Sequence, residues 1–119
     1  MTNTTKQLKG LFNLDHNIKL YIPSTIDIDK KIDPGIFIDD TLELFSNEFG
    51  GATSYNAMGA WNSKIKGLVV EKVVIVEAFA TADQVEASIE KIVSWAVVLK
   101  KSMNQEAISL EYDNKLYFI

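Results

Sequence analysis

The sequence predicts one α+β domain with the ferredoxin-like order β-α-β-β-α-β, followed by an extra C-terminal strand. Two observations carry this prediction. A long apolar hairpin occupies residues 50–79, and a helical pattern of apolar residues lies on either side of it. In such a fold the strands form an antiparallel sheet and the two helices cover one face. The other face is then open to water, a ligand or another subunit.

The second strand of the hairpin, residues 68–79, is the most apolar segment of the chain. Its β-branched side chains favour a pleated strand, and apolar residues alternate onto both of its faces. This pattern is typical of a central strand that is covered on both sides. The first strand, residues 52–62, differs because small residues such as Gly59 lie between Tyr55 and Trp61 and could leave a shallow groove.

The segment before the hairpin supplies the first strand and the first helix. Alternating apolar and polar residues predict a strand over residues 18–23, and a polar connection follows over residues 24–32. The Asp33-Pro34 pair predicts a helix start, because aspartate caps free N–H groups and proline suits the first turn. Gly50 is placed to end this helix in the left-handed conformation.

The segment after the hairpin supplies the second helix and the last two strands. Apolar residues at helical spacing predict a helix over residues 82–103, and Thr81 and Gln84 have the spacing of a capping box at its start. Residues 106–119 are typical of a hairpin that turns at an Asp-Asn pair. The apolar end of the chain indicates that its last residues join the sheet.

Length, charge and cysteine content limit the classes of function. The 119 residues are expected to form one domain, residues 18–119, after a flexible N-terminal arm, residues 1–17. The absence of cysteine excludes disulfides and thiolate chemistry. All 12 basic residues are lysine and the net charge is −4. This composition argues against nucleic-acid binding, because arginine supplies the forked recognition of phosphates and base edges.

The chain also shows no signal-peptide pattern and no apolar run that approaches the roughly 20 residues of a membrane-spanning helix. We therefore expect a soluble cytoplasmic protein that binds neither membranes nor nucleic acid.

Candidate catalytic, metal and phosphate sites are few, and each has a simpler interpretation. His16 is the only histidine, and nothing near it in sequence indicates a triad or a zinc site, so a surface histidine is preferred. Asp27, Asp29 and Asp33 lack the glycine and glutamate spacing of a calcium loop. Gly50-Gly51 precedes a strand rather than a helix, unlike a phosphate-binding loop. The sequence predicts no catalytic residue, no metal and no cofactor.

The best remaining group combines aromatic, amide and charged residues on neighbouring predicted strands. Aromatic rings beside small and amide side chains can stack on a planar ligand and orient it. A packed sheet face or a subunit interface would explain the same residues. The predicted ligand-binding residues are Lys19, Tyr21, Tyr55, Asn56, Trp61 and Glu71.

Glu71 and Glu77 are the two acidic residues that share a face of the central strand. They are six residues apart, which is roughly 20 Å at the rise of a strand, and this is too far for a pair acting on one bond. Either could act alone as an acid or base, or could pair with Lys19, Lys72 or Lys115 on a nearby strand.

Self-association is predicted from the apolar residues on the same face of the central strand. If the helices cover the other face, these residues are exposed, and an apolar patch of this kind usually marks an interface. We therefore expect a homo-oligomer, with a small molecule or another protein as a further partner. The predicted interface residues are Val69, Val73, Ile75 and Phe79.

Four short segments carry a resemblance to a known group of proteins. They are KLYIPST at residues 19–25, FGGAT at 49–53, GAW at 59–61 and LVVEKVVIV at 68–76. They resemble small uncharacterised proteins of bacteria, phages and mobile elements, including a domain of unknown function with a similar glycine–tryptophan–glutamate hairpin. The resemblance covers residues 19–119 and implies no catalytic residues. By analogy it implies a counter-defence protein that works by binding.

Three functional hypotheses follow. The first is a non-enzymatic, self-associating protein that sequesters a small, nucleotide-like ligand or blocks a protein partner, although the lack of arginine counts against tight phosphate recognition. The alternative is a small ferredoxin-like enzyme in which a buried glutamate, Glu71 or Glu77, acts as acid or base on the sheet face with a tyrosine or lysine. The third is a structural or regulatory subunit whose partner covers the sheet.

Overall fold

The computed structural model describes residues 3–26, 30–31 and 33–119. It contains a five-stranded antiparallel sheet with two long helices packed against one face, which confirms the predicted α+β architecture. The elements in chain order are α1 (Asn3–Leu8), β1 (His16–Pro23), β2 (Thr25–Ile26), β3 (Lys30–Lys31), α2 (Gly35–Phe49), β4 (Thr53–Ser63), β5 (Gly67–Ala80), α3 (Ala82–Ser102), β6 (Ser109–Tyr112) and β7 (Lys115–Phe118).

The strand order of the sheet is β4-β5-β1-β6-β7. The first four strands of that order form the ferredoxin-like sheet, and β7 is the predicted additional strand at the edge. β2 and β3 form a separate two-stranded pairing, within the segment for which the sequence predicts only a polar connection. Asp27 and Asp29, which belong to that predicted connection, lie outside the described residues.

The core lies between the sheet and the helices. Alternate residues of β1, namely Ile18, Leu20 and Ile22, point toward the helices and are fully buried. Phe45 of α2 and Ile92 of α3 meet them from the other side and are also fully buried. Each such side chain contributes roughly 1.5–3 kcal/mol relative to an exposed position, so this single interface supplies most of the driving force for folding.

Polar contacts fix how the two helices lie against each other. The indole N–H of Trp95 in α3 donates to the hydroxyl of Thr41 in α2 over 2.8 Å. The hydroxyl of Ser88 donates to the Glu48 carboxylate, also over 2.8 Å. None of the helices in the described part of the chain is long and apolar enough to cross a membrane.

The boundaries of α2 agree with the sequence at its end and differ slightly at its start. Gly50 ends the helix with φ 87°, a conformation that favours glycine. Pro34, rather than Asp33, occupies the N-cap position. The Asp33 carboxylate still accepts a hydrogen bond from the Gly35 N–H over 2.9 Å, so it satisfies one free N–H group as predicted.

The central hairpin extends beyond the rest of the sheet. β1 pairs with β5 only from Val73 to Ala80, whereas every residue of β4 pairs with β5, from Gly67 to Glu77. The prediction that β5 is covered on both faces is wrong, because α2 and α3 cover one face only and most of residues 67–72 are exposed. We call residues 58–72 the hairpin arm. Its exposed large apolar side chains are Met58, Trp61, Ile65, Leu68 and Val70.

The predicted capping box at the start of α3 gives a direct test of helix stability. The Thr81 hydroxyl accepts from the Gln84 N–H over 3.2 Å, and the Gln84 side chain accepts from the Thr81 N–H over 2.9 Å. Thr81→Ala should lower the free energy of unfolding by about 1 kcal/mol, measured by urea denaturation. Thr81→Ser keeps the hydroxyl and should stay near the wild type. Equal stability of the alanine variant would show that the box does not hold the helix.

Candidate functional site

The candidate site lies on the face of the sheet opposite α2 and α3, which we call the outer face. Because β-strand residues alternate between faces, the pairing register determines which side chains share it. The rows of outer-face residues, read backward along β5, are Thr53–Glu77–Lys19–Glu111, Tyr55–Ile75–Tyr21, Ala57–Val73–Pro23, Gly59–Glu71 and Trp61–Val69.

The structure brings most of the predicted ligand-binding residues to this face. Lys19, Tyr21, Tyr55, Trp61 and Glu71 all lie in its rows. Asn56 does not, because it follows Tyr55 directly in β4 and so points to the helix side of the sheet. There it lines an open pocket of about 550 Å³ together with residues that include Ser24, Met58 and Lys72.

The first row is a mixed-charge group at the middle of the sheet, which we call the charged row: Lys19, Glu77 and Glu111. The Lys19 ammonium nitrogen lies 3.5 Å from a carboxylate oxygen of Glu77 and 3.5 Å from one of Glu111. The Tyr21 hydroxyl donates to the other Glu111 oxygen over 2.9 Å. The lysine pairing considered from the sequence is thus present for Glu77, and Glu111 is a member that the sequence did not indicate.

The surroundings of the row raise the pKa of both Lys19 and Tyr21. Partial burial, the largest single influence, lowers the pKa of Lys19, but the charges of Glu111, Tyr55 and Glu77 together raise that pKa above its ordinary value. Burial and the hydrogen bond to Glu111 raise the pKa of Tyr21. At neutral pH Lys19 is therefore charged and the Tyr21 hydroxyl beside it is neutral.

Further along the face, Glu71 lies in a different setting. It accepts a hydrogen bond from the Thr25 hydroxyl over 2.8 Å, and its partner across the strand pair is Gly59. Because Gly59 has no side chain, the surface beside Glu71 is open, and Trp61, which is 47% exposed, borders it. Thr25 lies more than 40 residues away in sequence, so no local pattern could have indicated this contact.

These features lie along one stretch of the outer face, on β4, that we call the trough. Its floor is made of the small residues Ala57 and Gly59, and the aromatic rings of Tyr55 and Trp61 lie at its two ends. Tyr55 and Trp61 are six residues apart, which corresponds to roughly 20 Å along a strand. The trough can therefore seat an elongated ligand that carries a flat ring.

The four predicted interface residues also lie on the outer face, but they differ in exposure. Phe79 is 53% exposed, whereas Ile75 is only 7% exposed because Tyr55 and Tyr21 flank it in the same row. Val69 and Val73 are half-buried. Ile75 thus offers little contact area, and the hairpin arm presents more exposed apolar surface than these residues do. That they form an interface stays a prediction.

His16 occupies a separate position at the start of β1. Its Nδ1 atom lies 2.7 Å from a carboxylate oxygen of Asp113 and 3.1 Å from the Tyr112 hydroxyl, and its ring stacks on that of Tyr112. The Asn17 N–H donates to the other Asp113 oxygen over 2.9 Å. His16 thus ties the start of β1 to the β6–β7 turn, and it lies outside the rows of the candidate site.

Comparison with known proteins identifies the fold but no sequence family. No family model matches the sequence, so the resemblance to a domain of unknown function is not supported by a family match. No curated protein matches it either. Among solved structures the result is different. The chain is similar in fold to a phage SAM lyase.

Two structures of such a lyase show the similarity. The complex with S-methyl-5'-thioadenosine has 13% sequence identity and a TM-score of 0.64, and the match covers 92% of this chain and 94% of that one. The apo state has 15% identity and a TM-score of 0.66, with 93% of each chain covered. At such identities the likeness shows a shared fold. Both structures are of a phage protein, which is consistent with the expected link to phages.

The comparison corrects the main functional hypothesis. A non-enzymatic, sequestering protein was predicted, but the proteins that share the fold are enzymes, and this contradicts the hypothesis. The alternative of a small ferredoxin-like enzyme agrees better. The expectation of a small-molecule ligand is consistent with the comparison, since the similar lyase binds S-methyl-5'-thioadenosine.

The His16–Asp113 pair predicts a specific pH dependence of stability. The hydrogen bond to Asp113 is the main cause that raises the pKa of His16. The Asn17 N–H, followed by the bond to His16, lowers the pKa of Asp113. A raised histidine pKa stabilises the fold below about pH 6.5, and this contribution is lost as pH rises through the folded pKa. The depressed aspartate pKa stabilises the fold above about pH 4, and that contribution is lost as pH falls through the folded value.

The stabilisation by the pair should therefore be largest between about pH 4 and pH 6.5. Urea denaturation of the wild type and of His16→Gln is measured from about pH 4 to pH 8. The difference between their free energies of unfolding should be largest below about pH 6.5 and should shrink toward pH 8. A difference that is the same at all pH values would contradict the pairing.

Proposed function

We propose that this protein is an enzyme that binds an S-adenosyl sulfonium compound, S-adenosylmethionine first of all, on its outer face. It cleaves a carbon–sulfur bond of that compound and releases S-methyl-5'-thioadenosine. The observation that carries the proposal is the trough, with aromatic rings at both ends, a floor of small residues and a glutamate at its side. The fold shared with a phage SAM lyase supports the choice of substrate class.

The charge of the outer face suits a sulfonium ion. Its rows hold three glutamates and one lysine, namely Glu71, Glu77, Glu111 and Lys19, so the face is negative overall. A sulfonium ion carries a permanent positive charge, and both carboxylates and aromatic faces attract cations. Tyr55 and Tyr21 flank the centre of the face and supply such rings. The same aromatic and small residues suit the planar adenine of the substrate.

The bond changes balance within the substrate itself. When the carbon–sulfur bond breaks, its electron pair stays on sulfur, which becomes the neutral thioether of S-methyl-5'-thioadenosine. In one route, the carboxylate oxygen of the same molecule forms a bond to the carbon that loses sulfur, and a lactone results. In the other route, that carbon forms a double bond to its neighbouring carbon, which loses a proton to a base. The second route requires a base to accept that proton, and the glutamates of the outer face are the candidates on the protein.

The product binds the negative face less strongly than the substrate, because it lacks the sulfonium charge. This difference favours release of the thioether once the bond has broken. A site acting on this substrate would work in the cytoplasm, where S-adenosylmethionine is made, in agreement with the expectation from the sequence.

We further propose that a second copy of the chain covers the open trough, as self-association was predicted from the sequence. The hairpin arm presents exposed apolar residues, and Lys64 and Lys66 lie at its turn. Their positive charge complements the negative outer face of another copy. An arm that reaches a different surface on its neighbour makes a heterologous contact, which forms a closed ring when the rotation between copies closes and a filament when it does not.

The proposal is tested by incubating the wild-type protein with S-adenosylmethionine and detecting S-methyl-5'-thioadenosine by mass spectrometry, with calorimetry to measure binding of the thioether alone. Trp61→Ala should weaken thioether binding by about tenfold or more, because stacking of a base on an aromatic ring contributes roughly 1–3 kcal/mol. Trp61→Phe keeps a flat ring and should lose less.

Val98→Ala is the matched control, since Val98 is exposed on α3 and lies away from the outer face. It should bind the thioether like the wild type. Absence of both thioether release and thioether binding in the wild type would refute the proposed function. Normal binding by Trp61→Ala would refute the assignment of the trough.

A further inference from the structure

We propose that the charged row, Lys19, Glu77 and Glu111, binds the amino acid end of the substrate and so determines specificity. This inference rests on the proposed function and deepens it. The row would let the enzyme distinguish molecules that carry an aminobutyrate chain on sulfur from the thioether product, which has only a methyl group there.

The geometry of the row leaves capacity for a ligand. Lys19 lies 3.5 Å from each of its two carboxylate partners, whereas strong charge-assisted hydrogen bonds are about 2.7–2.9 Å long. Lys19 is thus shared between Glu77 and Glu111 without a short bond to either. Each carboxylate has several acceptor positions, so an additional ammonium group can bind to them beside Lys19.

The charges of the row match those of an amino acid. The α-ammonium group of the substrate pairs with Glu77 and Glu111, and its carboxylate pairs with Lys19. Of the outer-face rows that the described strands form, this one combines both signs of charge and the others do not. The three side chains are only 19–23% exposed, so they interact with a ligand more strongly than fully exposed groups would. The Tyr21 hydroxyl fixes the orientation of Glu111.

The position of the row also orients the substrate along β5. The row lies next to Tyr55 and Tyr21. Ala57 lies roughly 13 Å, and Gly59 with Glu71 roughly 20 Å, further along the strand. An amino acid end at the charged row places the sulfonium sulfur beside the two tyrosines. The ribose then follows over Ala57, and the adenine lies toward Gly59, on the near side of Trp61. In this orientation Glu77 is the glutamate near the carbon that loses sulfur, and Glu71 is near the adenine.

The test compares two unreactive probes that differ in the group on sulfur. S-adenosylhomocysteine carries the amino acid end but no sulfonium charge, and S-methyl-5'-thioadenosine lacks the amino acid end. Affinities of both probes are measured by calorimetry for the wild type and for Lys19→Gln, Glu77→Gln and Glu111→Gln. Each variant removes one charge and keeps a similar shape. Glu90→Gln, at an exposed position of α3, is the control for net charge.

In each row variant, the affinity for S-adenosylhomocysteine should fall by about tenfold or more, as expected for loss of one charged hydrogen-bond partner. The affinity for S-methyl-5'-thioadenosine should stay near that of the wild type. Glu90→Gln should change neither affinity. Because the three variants are independent, the result does not depend on any single one folding well.

The outcomes separate the two levels of the proposal. If all folded row variants lose affinity for both probes equally, or for neither, the row is a set of structural ion pairs and the inference is wrong, while the proposed function stands. If the wild type binds neither probe and releases no thioether from S-adenosylmethionine, the proposed function itself fails.

Discussion

The antiparallel pairing of β1 with β5 is the constraint on which the rest of the molecule depends. Its register places Leu20 opposite Val76 on the helix side and Lys19 opposite Glu77 on the outer face. A slip of one residue would turn Lys19 into the core and expose Leu20. The burial that drives folding therefore also determines which side chains the candidate site receives, and the site cannot form in any other register.

The one-sided cover of the sheet has a chemical consequence. α2 and α3 together bury one face, and no helix of the described residues packs on the other. Ordinary solvent-facing strands carry scattered polar residues, but here the outer face gathers paired charges at its middle and aromatic rings around a floor of small residues. Such a surface suits an elongated ligand with a flat ring at one end and charges at the other. The proposed function depends on this arrangement, in which one ligand lies along one strand with its flat ring and its charged end bound at different rows.

Local patterns predicted the elements well, because each has a local cause. The left-handed Gly50 and the Thr81–Gln84 box mark helix ends through contacts within a few residues. The alternation in residues 18–23 likewise marks a strand that the structure starts only two residues earlier, at His16. These signals depend on backbone conformation, which short sequence windows encode.

The site was predicted only in part, because its geometry depends on long-range register. Alternation could separate Asn56 from Tyr55, but it could not show which face the helices cover. Glu111 joins Lys19 through the β1–β6 pairing, and Thr25 reaches Glu71 from a distant segment. The exposed hairpin arm was missed because apolar residues of a two-stranded extension look like those of a central strand. The sequence offered an enzyme only as the alternative hypothesis, and the fold comparison is what favours it.

The central claim is that the outer face, and not the helix side, binds the adenosyl group. The chain has 2 tryptophans, and they report on the two sides separately: Trp61 borders the trough, and Trp95 lies in the helix layer bonded to Thr41. The most direct measurement is an NMR titration of the two indole N–H signals with S-methyl-5'-thioadenosine. We expect the Trp61 signal to shift and saturate while the Trp95 signal stays in place. A saturating shift of Trp95, with Trp61 unchanged, would contradict the claim.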